Sequence, residues 1–363
     1  MRAPPRGLGV RGIVILAAIA LLTVGWLYVS RSKHAPATAS RSVLDVIPEG
    51  AFLVAVVDVA ALRQTEVGQR FLGEGRNIAG LGDVNQVCGS DPMNAVTELA
   101  VAVPGASGIG FGLFATGNIE ADAMLSCAER IVEKRGGRPV RQQRDGFAVL
   151  RDATLELSSA ELAVADKGPL LLAEPDYVRA SLEVAAERAP STRDEPAHRA
   201  LRKLVEPGLL VATVVLNEEQ RKSLADELRA QQMSDSPFSS LTSGAMSVAL
   251  GERLRMHVVL RCTSAEACTG VARLIDSARR DEMATFSARA VGLAAVLEQA
   301  AVSADGDAVH LKADIGVDEA IEVVRRALLL RRLSQLPQEQ QGPKQELPPD
   351  AGERIEATGG GKP

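Results

Sequence analysis

Phe52–Asp58 reads FLVAVVD and Leu209–Leu216 reads LLVATVVL. Each is a continuous apolar run of strand length, and such a run suits a strand covered on both faces. Pro48-Glu49-Gly50 bounds the first as a turn. The two runs open similar successions. After the first, Leu62, Val67 and Phe71 fall on one side of a helix over Val59–Leu72. Glu98–Val103 and Gly110–Ala115 read as a hairpin joined by the Gly-rich PGASGI. Ala121, Leu125, Ala128 and Val132 set a helix over Ala121–Arg135. Short strands at Phe147–Leu150, Leu155–Leu157, Glu161–Ala165 and Leu170–Ala173 follow, then a helix over Asp176–Glu187 behind Pro175.

After Leu209–Leu216 the pattern restarts. A helix is expected over Glu218–Gln232, strands at Ala245–Leu250 and Leu254–Leu260, and helices at Ala265–Arg279 and Ala284–Gln299. Ala301–Ala304 and Ala308–Asp314 form a hairpin around Asp305-Gly306-Asp307, where Asp-Gly supplies the positive φ of a tight turn. Val317–Arg332 closes the series as a helix. The expected fold is α+β: two similar halves, 44–195 and 196–336, each a mainly antiparallel sheet with helices packed on one face. A structural duplication accounts for the restart, although alternating strands and helices can also restart by chance in a long chain.

Outside these halves the chain changes character. Residues 1–11 are a basic lead with Arg2, Arg6 and Arg11. Gly12–Val29 carries no charge and contains IVILAAIALLTVGWLYV. About 17–20 apolar residues are just enough to cross a hydrocarbon core. Trp26 and Tyr28 sit at its far end, where amphipathic rings favour the headgroup layer. A cleaved signal is the competing reading, with Ala37-Thr38-Ala39 as the small-residue site. The apolar run is longer than the usual h-region, and that site lies well past it. The expectation is therefore an uncleaved transmembrane anchor at 12–29. Arg31, Lys33 and Arg41 balance the basic lead, so the positive-inside rule barely orients it. The short lead favours the amino terminus inside and the bulk of the chain outside. Residues 30–43 are a polar linker, and 337–363 have nothing to bury and read as a disordered tail.

The whole chain of 363 residues has a formal net charge of −5. Between Leu44 and Leu336, 32 Lys and Arg face 41 Asp and Glu, which argues against nucleic acid and against adsorption to anionic lipid. Tyr177 is the only Tyr or Trp beyond the apolar segment, so stacking platforms for sugars or bases are not expected.

Cys88, Cys127, Cys262 and Cys268 are the four cysteines. An even number beyond an export-like segment favours disulfides. Cys262 ends a strand and Cys268 lies in the first turns of the next helix, so that pair can close across the corner. Cys88 then pairs with Cys127. Four buried reduced thiols are the alternative. With no CxxC and no histidine at ligand spacing, neither a metal nor a cofactor is expected.

No catalytic constellation emerges. His34 lies in the linker, His198 follows a charged connector, and His257 and His310 fall on the polar phase of their strands, which reads as solvated. Gly105–Gly110 (GASGIG) lacks the GK[ST] of a phosphate loop and leads into a strand, so it reads as a turn. Ser30-Arg-Ser-Lys33 matches S-x-x-K by letter only. Glu218, Glu219, Asp226 and Glu227 interleave with Arg221, Lys222 and Arg229 as a solvated helix face. Asp305 and Asp307 are explained by the turn, because the calcium-loop ligand series is missing.

An N-terminal anchor, the Pro48-Glu49-Gly50 lead and the Cys88-x-x-Asp91-Pro92 turn before a strand resemble exported bacterial proteins with duplicated α+β domains, over roughly Leu44–Arg332. The resemblance implies no activity. The expected protein is held in the bacterial inner membrane by one helix, with its bulk in the periplasm, where it binds a protein partner or acts as a structural or sensory module. An exported enzyme with a site dispersed between the halves is the alternative.

Overall fold

A computed structural model describes residues 42–334, apart from 66–67, 69–76, 79–81, 90–91, 106–109, 155–159, 232 and 234–235. The expected anchor at 12–29, the linker before Ser42, the strand at Leu155–Leu157 and the tail lie outside the described residues or in these gaps. Among the described residues no helix is long and apolar enough to cross a membrane.

The chain runs β1 (Ala51–Asp58), α1 (Val59–Gln64), β2 (Asn77–Ile78), β3 (Gly82–Asp83), α2 (Val84–Cys88), β4 (Val96–Pro104), β5 (Gly112–Gly117) and α3 (Ala121–Lys134). It continues with β6 (Pro139–Arg144), β7 (Phe147–Asp152), β8 (Glu161–Val164), β9 (Leu170–Ala173), α4 (Pro175–Ala185) and α5 (Pro196–Arg202). Then come β10 (Leu210–Val215), α6 (Glu218–Ala230), β11 (Leu241–Leu250), β12 (Arg253–Cys262), α7 (Ala265–Ala284), α8 (Phe286–Val291), α9 (Leu293–Glu298), β13 (Ala301–Asp305), β14 (Ala308–Gly316) and α10 (Val317–Ser334).

Twelve strands make one antiparallel sheet in the order β13-β14-β12-β11-β10-β1-β4-β5-β9-β8-β7-β6. The two apolar runs of the sequence are its centre. β1 pairs with β10, with Leu53 opposite Val214 and Ala55 opposite Ala212. A central strand has neighbours on both edges and cover on both faces, which is why these two stretches contain almost no polar residues.

Helices lie on both faces in the first segment, correcting the expectation of one covered face. On one side α4 and the 3-10 turn Val43–Asp45 bury Val54, Ala100, Phe114, Leu171 and Val149. On the other, α1 and α3 bury Leu99, Ala115, Leu150 and Val164. The reason is in the strands: LLLA of β9 and ELAV of β8 present apolar side chains in both phases, and each phase needs its own layer. The second segment is closer to the expectation. β12 reads RLRMHVVLRC, alternating over its first half. α7 packs on one side around Cys268, Val271, Leu260 and Val309. On the other side Leu201 of α5 and Val205 just after it pack with Val211, Ala245, Val259 and Ala308.

Two helices are differently placed from the sequence reading. The expected helix Ala284–Gln299 is interrupted at Gly292, whose φ of 82° is left-handed, giving α8 and α9. α5 was not expected; Pro196 at its first turn starts it, and His198 and Leu201 form its buried face.

Candidate functional site

The disulfides set the outer corners. Cys88 is bonded to Cys127 with Cα atoms 4.5 Å apart, tying α2 to α3. Arg130 of α3 donates to the carbonyls of Val87 (2.7 Å) and Cys88 (2.8 Å), placing a cation at the carboxyl end of α2. Cys262 is bonded to Cys268 across the β12–α7 corner, with Cα atoms 5.5 Å apart.

The seam between the segments carries a cleft of about 340 Å³. Val54 and Val56 of β1 and Val211 and Thr213 of β10 form its floor. Ser42 and Leu44 stand on one bank, and Arg202, Glu206, Pro207 and Gly208 on the other. Asp58 and Glu98 close one end. The first bank is fixed by a capping box. Ser42 accepts from the turn's backbone, and its own N–H donates to Asp45 Oδ2 at 3.0 Å. Asp45 is also paired with Arg193 at 2.7 Å, so the connector before α5 is strapped onto the entry to β1.

The second bank is held from beneath by His198, which is fully buried. Its Nε2 lies 2.7 Å from the carbonyl oxygen of Ala51, and its Nδ1 lies 2.7 Å from Thr213 Oγ1. A carbonyl only accepts, so Nε2 carries the proton; in the neutral ring Nδ1 accepts from the Thr213 hydroxyl. One side chain of α5 thus fixes a floor residue of the cleft and joins both central strands. The sequence placed His198 only as a residue after a charged connector. The usable signal was its phase: His198, Leu201 and Val205 share one helical stripe, and all three are buried.

Asp58 and Glu98 are directly opposite across β1 and β4. Each is engaged: Asp58 Oδ1 accepts from the N–H of Ala61 at 2.7 Å, capping α1, and Glu98 Oε2 accepts from the N–H of Val43 at 2.9 Å. Glu206 pairs with Arg255 at 3.5 Å. Arg202 donates to the carbonyl of Arg193 at 2.8 Å, while its buried Nη1 has no hydrogen-bond partner among the described residues. Burial lowers the Arg202 pKa, Glu195 opposes that, and Arg199 and Arg193 add to it. The cleft thus has an apolar floor, a carboxylate rim and one guanidinium wall.

A second polar group lies on the outer strands, on the side opposite α7. His257 Nε2 is 3.2 Å from His310 Nδ1, with the rings within 22° of parallel. The sequence put both on the polar phase, but singly. The sheet register brings them together, because Val259 pairs with His310 and His257 with Lys312. They are half-buried rather than fully solvated. Burial lowers the His257 pKa, Lys312 and His310 lower it further, and Glu206 opposes them.

The other stretches weighed in the sequence have structural roles. The carbonyl of Gly105 accepts from Asn217 Nδ2 (3.0 Å) and Gln220 Nε2 (2.9 Å), docking the turn on the capping box of α6. Asp307 is paired with Arg261, and Asp226 with Arg229. Among the described residues no group of three or more His, Cys, Asp or Glu is placed to hold a metal ion. Comparison with family models, curated proteins and solved structures returns no match to this chain.

Proposed function

We propose that this chain is a membrane-anchored, extracytoplasmic binding protein that receives a protein partner in the cleft along the β1–β10 seam. The observation that carries the reading is the composition of that cleft: an apolar floor of Val54, Val56 and Val211 beneath a rim of Asp58, Glu98 and Glu206. Such a surface suits an apolar side chain of a partner flanked by basic residues, with buried apolar area supplying affinity and the rim supplying orientation. Binding is favoured over catalysis because Asp58, Glu98 and Glu206 are already committed to a helix cap, a backbone N–H and an ion pair. A general acid or base needs a group free to exchange its proton with substrate.

The anchor is the run at Gly12–Val29, and the two disulfides support an oxidising compartment for the rest. Duplication is supported by element order. β1-α1-β4-β5-α3-β8-β9-α4 and β10-α6-β11-β12-α7-β13-β14-α10 correspond, with β2, β3, α2 and the β6–β7 hairpin additional in the first and α8 and α9 additional in the second. The antiparallel β1–β10 pair then lies at a local two-fold axis, and the cleft arises where the copies meet.

A photo-crosslinking residue in place of Val211 tests the reading. In intact cells it is expected to give a discrete adduct that weakens when Glu206 is changed to Arg. Adducts no more discrete than those from Gln142, on the outer edge strand β6, would overturn it.

A further inference from the structure

We propose that His257 and His310 together form a binding site for a divalent transition-metal ion, with Cu²⁺ held most tightly. The site lies on the outer strands, on the face that α7 does not cover, and shares only Glu206 with the surroundings of the seam cleft. Two imidazoles on adjacent paired strands face each other nitrogen to nitrogen, at 3.2 Å. With metal–nitrogen bonds of about 2.0–2.1 Å, that separation closes an N–metal–N angle of about 100°. This angle lies between the square-planar and tetrahedral values; the nitrogens now point at each other along the line of ring centroids, 5.5 Å apart, so each ring must swing away from that line to aim both lone pairs at one point.

The scaffold is rigid where it matters. β12 and β14 are paired without interruption from Arg253–Gly316 to Arg261–Ala308, so the two backbones hold the rings in place. The same-face neighbours are mixed: Val259 and Ala308 are buried beside the pair, and two serines flank it. Ser247 is directly opposite His257 on β11, and Ser303 is directly opposite His310 on β13. Ser247 is 2% exposed and Ser303 is exposed, so water completing the coordination shell would enter from the Ser303 side. The four cysteines are closed in disulfides, so thiolate does not compete for a borderline metal. Imidazole suits Cu²⁺, Ni²⁺ and Zn²⁺, and the ordinary affinity order places Cu²⁺ first. His257 Nε2 and His310 Nδ1 are the ligands, leaving the other ring nitrogens to carry protons. Lys312, directly opposite His257, opposes the cation, while Glu206 is near enough to His257 to act on its charge in the favourable direction.

The experiment is a Cu²⁺ titration of the full chain, purified without a histidine tag in a non-coordinating buffer, followed by calorimetry and by electron paramagnetic resonance. One ion per chain is expected, with hyperfine structure from two nitrogens. His257→Gln and His310→Gln are each expected to weaken binding at least 10-fold, while His34→Gln leaves it unchanged. Lys312→Met, on an exposed side chain, provides a variant that keeps the core intact. Removing that charge is expected to tighten binding roughly 5-fold at low ionic strength. Absence of binding at 100 µM Cu²⁺, or affinity indifferent to both His257→Gln and Lys312→Met, would overturn the proposal.

Discussion

Replacing His198 with Leu removes the side chain that joins β1, β10 and α5. Two buried partners are left behind. The carbonyl of Ala51 loses its donor, and Thr213 Oγ1 loses its acceptor. Ala51 is 4% exposed and Thr213 2%, so water does not replace the lost bonds. Each orphaned buried group costs about 1–3 kcal/mol. Thr213 recovers part of its share because its hydroxyl can donate to the carbonyl of Val54, 3.5 Å away. Leu adds apolar burial of about 1 kcal/mol in return. The net expectation is a loss of roughly 2–4 kcal/mol, or about 5–10 °C in Tm for a domain of this size. Urea unfolding followed by circular dichroism measures it, with Thr213→Val and the double variant completing a cycle. In the double variant the Thr213 hydroxyl no longer needs a partner, so its cost is expected to fall short of the sum of the singles by about 1 kcal/mol. A loss below about 1 kcal/mol for His198→Leu, together with additivity in the cycle, would refute the reasoning.

The two disulfides should contribute unequally: they close separations of 39 and 6 residues. The chain-entropy relation assigns about 4 kcal/mol to the first and about 2 kcal/mol to the second, so Cys88→Ser/Cys127→Ser should lower the urea midpoint more than Cys262→Ser/Cys268→Ser does. Gly208→Ala should destabilise by about 1–3 kcal/mol, because a Cβ there would stand 2.4 Å from the carbonyl oxygen of Val248, a backbone atom that cannot swing away. His257 is held below its ordinary pKa of 6.5 by burial, then by Lys312 and His310. The unfolded chain therefore takes up the proton first on acidification. The contribution is fully present above about pH 6.5 and is lost as pH falls below it. Lys312→Met should move the His257 titration, read by NMR, back toward 6.5.

The sheet was legible where its strands had a single demand. FLVAVVD and LLVATVVL are apolar in both phases because they end up at the centre, paired on both edges. The cysteine pairs were legible from spacing and element context. The two-sided cover of the first segment was written in LLLA and ELAV but was outweighed by the general expectation for antiparallel sheets. β6, with Arg141, Gln142, Gln143 and Arg144, was invisible as a strand because an outer edge strand does not have to be apolar. The seam cleft was beyond reach, since it depends on Glu98 and Glu206 meeting across more than a hundred residues of chain. The contact of His257 with His310 depends likewise on the β12–β14 register, which periodicity does not specify.

The central claim, an extracytoplasmic chain closed by two disulfides, is tested by thiol accounting. Free thiols are blocked at the moment of extraction. The protein is then denatured and labelled with a maleimide–polymer, with and without prior reduction. A shift of four labels is expected, and only after reduction. No shift even after reduction would mean that the thiols were free and had been blocked, contradicting both the oxidised pairs and the compartment.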